Sequence, residues 1–136
     1  MNLKLENLAE IRRDFHRFPE LGFKEKRTKE KIAGYLKELG LDVHYGVGIV
    51  GVLRAGEGSK VIGLRADMDA LPIHETTSHE YISENAGVMH ACGHDGHMAM
   101  LLGAAYKLST NANFDGTVVF IFQPNEELGK GAKAMM

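Results

Sequence analysis

The run Val88-Met89-His90-Ala91-Cys92-Gly93-His94-Asp95-Gly96-His97-Met98 constrains this chain more than any other stretch. It gathers three of the seven histidines and the only cysteine. Thiolate, imidazole and carboxylate are the side chains that hold zinc and related metals. Two glycines let the backbone turn tightly there. Met98, Leu101, Leu102, Ala105 and Leu108 follow at helical spacing. The pattern predicts a metal-binding turn feeding a helix, so the fold must bring other parts of the chain to that helix's N-terminus.

What surrounds the run reads as an α/β domain. With 136 residues, 44% hydrophobic and 25% charged, the chain fits one globular domain, residues 1–136. A net charge of -2 gives no electrostatic footprint for nucleic acid or a membrane surface. One cysteine excludes an intrachain disulfide and fits a reducing compartment, so the expected location is cytoplasmic. No apolar run is long enough to span a bilayer, and the first residues lack the apolar core of a signal peptide.

Taken in order, Leu8, Ile11, Phe15 and Phe18 predict a helix over 2–17, stopped by Pro19. A second helix is expected over 24–39, with Ile32, Tyr35, Leu36 and Leu39 as its apolar stripe and the charges from Lys24 to Lys31, Glu25 included, on a solvated face. His16 and Glu20 fit equally a solvated helix end or a place near a site. Strands are expected over 41–45, 49–54 and 60–66, the last two as a hairpin across Gly56-Glu57-Gly58-Ser59. Val61-Ile62-Gly63-Leu64 reads as a strand covered on both faces. It runs into Asp67 and Asp69. Residues 73–87 form an irregular polar loop in which His74 and His79 read as solvated. The apolar segment 116–123 is a further buried strand, ending at Pro124-Asn125-Glu126-Glu127, and the chain closes on the start of a helix.

Acids therefore follow two strands, and the Cys/His run opens a helix. A parallel pairing of 61–66 with 118–123 would bring Asp67/Asp69, Cys92/His94/Asp95/His97 and Glu126/Glu127 to one sheet edge, where ligands of open α/β sheets bind. Metal-assisted hydrolysis needs such a set: ligands for an ion that lowers the pKa of a water, and a free carboxylate to move protons.

These residues carry a resemblance. Ile11-Arg12-Arg13-Asp14-Phe15-His16-Arg17-Phe18-Pro19-Glu20-Leu21, Gly63-Leu64-Arg65-Ala66-Asp67-Met68-Asp69-Ala70-Leu71-Pro72, Met89-His90-Ala91-Cys92-Gly93-His94-Asp95-Gly96-His97 and Phe122-Gln123-Pro124-Asn125-Glu126-Glu127 resemble the amidohydrolase branch of the aminoacylase/carboxypeptidase metallopeptidases. That branch includes N-acyl-amino-acid amidohydrolases, hippurate hydrolases and indoleacetyl-amino-acid hydrolases. The resemblance implies a zinc-exopeptidase-like catalytic domain, a partial three-layer sandwich on a mixed, mostly parallel sheet. It implies a centre of two divalent ions, Mn²⁺ or Zn²⁺, that cleaves the amide bond of N-acyl amino acids or small peptides.

Carried over by position, Cys92, His94 and Glu127 are metal ligands, Cys92 bridging. Glu126 is the general base. Asp69 matches the acid that stands two residues after a ligand histidine in the wider family, and here Asp67 occupies that histidine's place. Asp95 fits a helix cap, His97 a place behind the ligands or near substrate, and His90 is left without a role. The family is longer than this chain. Two further histidine ligands and a lid or dimerisation domain have no counterpart here, so the chain corresponds to the N-terminal portion of the catalytic domain. Alone it is expected to bind metal poorly and turn over little substrate, and a homo-oligomer belongs to the full-length form. Two other readings are a non-catalytic metal-binding module using His90, Cys92, His94 and His97, and a thiol hydrolase with Cys92 as nucleophile.

Overall fold

The computed structural model describes residues 2–136. A single turn of 3₁₀ helix at Leu5–Asn7 leads into α1, Leu8–Arg17, so the expected first helix is split rather than continuous. Then come α2 (Lys26–Glu38), β1 (Asp42–Tyr45), β2 (Ile49–Ala55), β3 (Val61–Asp67), α3 (His94–Thr110), β4 (Gly116–Gln123) and α4 (Gly131–Met135).

The four strands form one sheet in the order β1-β2-β4-β3. β4 lies parallel to β3, with Asp67 opposite Gln123, as the acids at the two strand ends require. The predicted β2/β3 hairpin does not form. β4 inserts between the two strands and pairs antiparallel with β2 from Ile49↔Phe122 to Ala55↔Gly116. The Gly-rich turn at 56–59 fits a hairpin locally, but the more apolar β4 takes the central place. The sheet is mixed as expected. Its parallel character is confined to one pairing of three, because β1/β2 and β2/β4 are both antiparallel.

One face of the sheet carries the core. Ile49 of β2 and Phe120 and Phe122 of β4 are fully buried against Ile11 and Phe15 of α1, Ile32 and Leu36 of α2, and Met98 and Leu102 of α3. Each such side chain contributes about 1.5–3 kcal/mol through burial. Val50, Val52, Val119 and Ile121 alternate onto the opposite face and are only half-buried. The described residues thus supply two layers of the expected three. The expectation that 61–64 is covered on both faces also fails: β3 is an edge strand, and Val61 and Ile62 are 62% and 61% exposed. Among the described residues, no helix is long and apolar enough to cross a membrane.

Candidate metal centre

Three chain segments meet where β3 and β4 end and α3 begins. Gly93 makes the turn into α3 at φ +82, a left-handed conformation that glycine adopts without penalty. Open space surrounds it, so the demand for glycine there is conformational rather than steric. His94 is then the first residue of the helix and is 2% exposed.

Asp69 organises the meeting point. Its backbone carbonyl lies 2.8 Å from His94 Nδ1. A proton on Nδ1 makes that hydrogen bond and leaves the Nε2 lone pair free. The Asp69 carboxylate accepts the backbone N–H of Glu126 at 3.0 Å and of Glu127 at 3.1 Å. One buried aspartate thus fixes the ring of His94 and the peptide planes carrying both glutamates. Burial pushes its carboxyl up, but the His94 ring and the two N–H groups outweigh burial and hold it below the usual aspartate value. For His94, burial lowers the pKa, yet the hydrogen bond it donates to Asp69 and the charge of Asp67 leave it raised.

Nε2 of His94 faces a ring of acids: Asp67 Oδ2 at 3.4 Å, Glu127 Oε1 at 3.5 Å and Glu126 Oε2 at 3.7 Å. Glu127 Oε1 is buried without a hydrogen-bond donor. Ligand atoms of Cys92, His94 and Glu127 lie within 4.8 Å of one another. So do those of Asp67, His94 and His97, and those of Asp69, His94 and Glu126. The three sets share His94 and mark one place. A divalent cation fits it: an orphaned carboxylate oxygen, an oriented imidazole and a thiol converge, and the acids need a counter-charge. Cys92 is exposed, and its hydrogen bond to Glu127 raises its thiol pKa. A nucleophilic cysteine needs the opposite shift, which counts against the thiol-hydrolase reading.

The remaining sequence-selected residues separate clearly. His97 Nδ1 lies 2.7 Å from Asp67 Oδ1. His90 is buried with neither ring nitrogen hydrogen-bonded, and burial lowers its pKa to about 4. It joins none of the ligand sets, so the four-ligand module of His90, Cys92, His94 and His97 is not assembled. Asp95 does not cap α3, for no side chain bonds the helix start. It turns away from His94's acids, and its Oδ2 meets Arg12 Nε at 2.8 Å and His16 Nδ1 at 2.8 Å.

Two residues read as solvated are not. His79 Nε2 sits 3.3 Å from Glu75 Oε2. Glu25 is 1% exposed, and its Oε1 accepts the Asn125 N–H at 3.0 Å. Burial raises the Glu25 carboxyl above its usual value. Glu25 lay hidden in a charge run; its one distinguishing sign was its place at the very start of the helix. Asn125 itself takes φ +47, which the acid-bound turn imposes on it.

A mixed sheet with acids, imidazoles and a thiol gathered at its carboxyl edge defines an α/β domain of the kind that carries a metal centre. Residues 63–136 match the model of peptidase family M20/M25/M40, and the chain belongs to that family. It is 51% identical over 129 residues to the hippurate hydrolase of Campylobacter jejuni, covering 93% of this chain and 33% of that protein. It is 48% identical over 136 residues to thermostable carboxypeptidase 1 of Saccharolobus solfataricus, covering 95% and 35% respectively. The crystal structure of the Bacillus subtilis YXEP protein, a dinuclear metal-binding peptidase of the M20 family, superposes with a TM-score of 0.91 at 41% identity. That match covers 96% of this chain and 38% of the other. The chain spans about a third of the length of the curated relatives it matches.

Proposed function

We propose that this chain is the N-terminal portion of the catalytic domain of a metal-dependent amidohydrolase. Its substrates are N-acyl amino acids or small peptides, and the expected location is the cytoplasm. The observation that carries this is Asp69's threefold grip, which holds His94, Glu126 and Glu127 around one point beside Cys92.

Cys92, His94 and Glu127 would hold metal. Zn²⁺ suits the thiolate, and Mn²⁺ is compatible with the carboxylates. When bound, a pair of such ions supplies Lewis acidity toward the amide carbonyl and toward a water. The chain's own residues do the rest. Glu126 takes a proton from the water as its oxygen bonds to the carbonyl carbon. As the C–N bond breaks, Glu126 returns that proton to the leaving nitrogen, giving a carboxylic acid and a free amine. Asp69 acts as a positioning residue, keeping the Glu126 carboxylate beside His94 through the backbone. Cys92 gives up its thiol proton when metal binds.

The test uses a chain completed to the length of its relatives. Release of glycine from N-benzoylglycine, or of an amino acid from its N-acetyl form, should vanish with a chelator and return with Mn²⁺ or Zn²⁺. Glu126→Gln should keep the metal and lose turnover by at least about 100-fold. Undiminished turnover in that variant would remove Glu126 from its role. Turnover that survives metal removal would overturn the whole reading.

A further inference from the structure

A second group of metal-ligating side chains shares no residue with the His94 sets. His16 of α1 meets Glu75 and His79 from the irregular stretch 73–87, and their ligand atoms lie within 4.8 Å of one another. His16 Nε2 is 3.0 Å from Glu75 Oε2, and His79 Nε2 is 3.3 Å from the same oxygen. Ligands held about 2.0–2.1 Å from a tetrahedral zinc ion stand about 3.3 Å apart, so little movement is needed to receive one.

Two of the three ligands, His16 and Glu75, have the partners behind them that a zinc site uses, while His79 Nδ1 is buried without one. Asp95 Oδ2 sits 2.8 Å from His16 Nδ1, an arrangement that fixes the tautomer and aims Nε2 at Glu75. Arg12 meets the same Asp95 oxygen and balances its charge. Ser83 N–H donates to Glu75 Oε1 at 2.7 Å, and the Thr77 hydroxyl donates to Oε2, so the carboxylate is held at both oxygens. Tyr81 stacks on the His79 ring at 4.0 Å between centroids.

The histidine between two acids is the telling feature. Both His16 nitrogens face carboxylates. A divalent cation at Nε2 would stand between that ring and Glu75, with Asp95 behind Nδ1. His16 and Glu75 side chains are 4% and 3% exposed, whereas His79 is 32% exposed and leaves an entry path.

We propose that His16, Glu75 and His79 form a separate Zn²⁺ site with one open position for water, which clamps the stretch 73–87 to α1. Binding forms Zn–N and Zn–O bonds in place of the contacts among the three side chains, with no change of oxidation state.

The experiment begins with Cys92→Ser/His94→Gln, which removes the residue common to all three sets of the other centre, and titrates Zn²⁺ against a chromophoric chelator. One equivalent should bind, and adding His79→Gln should weaken it by at least about tenfold. In the otherwise wild-type chain, Zn²⁺ should shift the ring resonances of His16 and His79 and slow amide exchange across 73–87. Zn²⁺ binding indifferent to His79→Gln, or ring resonances that do not respond to Zn²⁺, overturns the site. These readouts need no turnover, so they stand or fall apart from the amidohydrolase reading.

Discussion

His94 and Asp95 are neighbours at the first turn of α3, both almost completely buried, and they serve opposite regions. On the His94 side, acids from two strand ends are positioned through the backbone, and their side-chain oxygens are left facing an imidazole and one another. On the Asp95 side, the groups close on each other through side chains: Arg12, His16, Glu75, Thr77 and the stacked pair His79/Tyr81. The first region resembles a socket, the second a knot. Positioning through the backbone gathers strand ends at one centre, whereas the side-chain network ties α1 to the stretch 73–87.

The largest effect should come from cutting the knot. Asp95→Ala leaves His16 and Arg12 without their shared acceptor and should cost about 3 kcal/mol in urea unfolding. A loss below about 1 kcal/mol would mean the knot does not hold the fold. On the socket side, Asp69→Ala frees His94, Glu126 and Glu127 together. Metal affinity should fall about 10–100-fold with a smaller loss of stability, as competition with a chelator would measure. Equal affinity would show that the ligands find their places without Asp69.

Smaller changes sharpen the contrast. Tyr81→Ala removes the ring stacked on His79 and should cost about 1 kcal/mol, with faster amide exchange confined to 73–87. Exchange that quickens equally around Glu126 would join the two regions into one.

Glu25→Gln gives the smallest effect, and it depends on pH. The Glu25 carboxyl is raised in the fold above its unfolded value of about 4.3, so the folded state holds the proton more tightly. Its contribution is therefore fully present below that value and is lost as pH rises through the folded pKa. The variant should melt higher than the parent at pH 8, and the difference should shrink towards pH 4. A gap that widens on acidification would reverse the assignment.

The socket was legible in the sequence because its residues sit in short motifs at element ends. Asp67 ends a strand, His94 opens a helix, and Glu126 comes soon after the end of another strand. The parallel pairing of β3 with β4 could be read from the same logic. The knot could not. His16 and Asp95 are 79 residues apart, and no local pattern tells that a histidine on a helix flank meets the aspartate next to His94. Asp95 looked like a cap because caps are the common use of an acid at a helix start, but Arg12 and His16 offered it stronger partners. The hairpin failed for a related reason. Turn chemistry at 56–59 is local, whereas strand order is decided by which strand buries most, and β4 carries Val118, Phe120 and Phe122 into the core.

The insertion of β4 between β2 and β3 has a consequence for synthesis. Both earlier strands must wait for a partner that leaves the ribosome about fifty residues after β3 does. Closing loops of that length is slow beside closing a hairpin. Through that interval β2 has one open edge and β3 two, each an invitation to pair with another chain. The arrival of Gly116–Gln123 ends that exposure for β2 and halves it for β3, and brings Glu126 and Glu127 to the edge where Asp69 holds them. Nascent chains halted before residue 116 should therefore aggregate more readily than those released beyond residue 127.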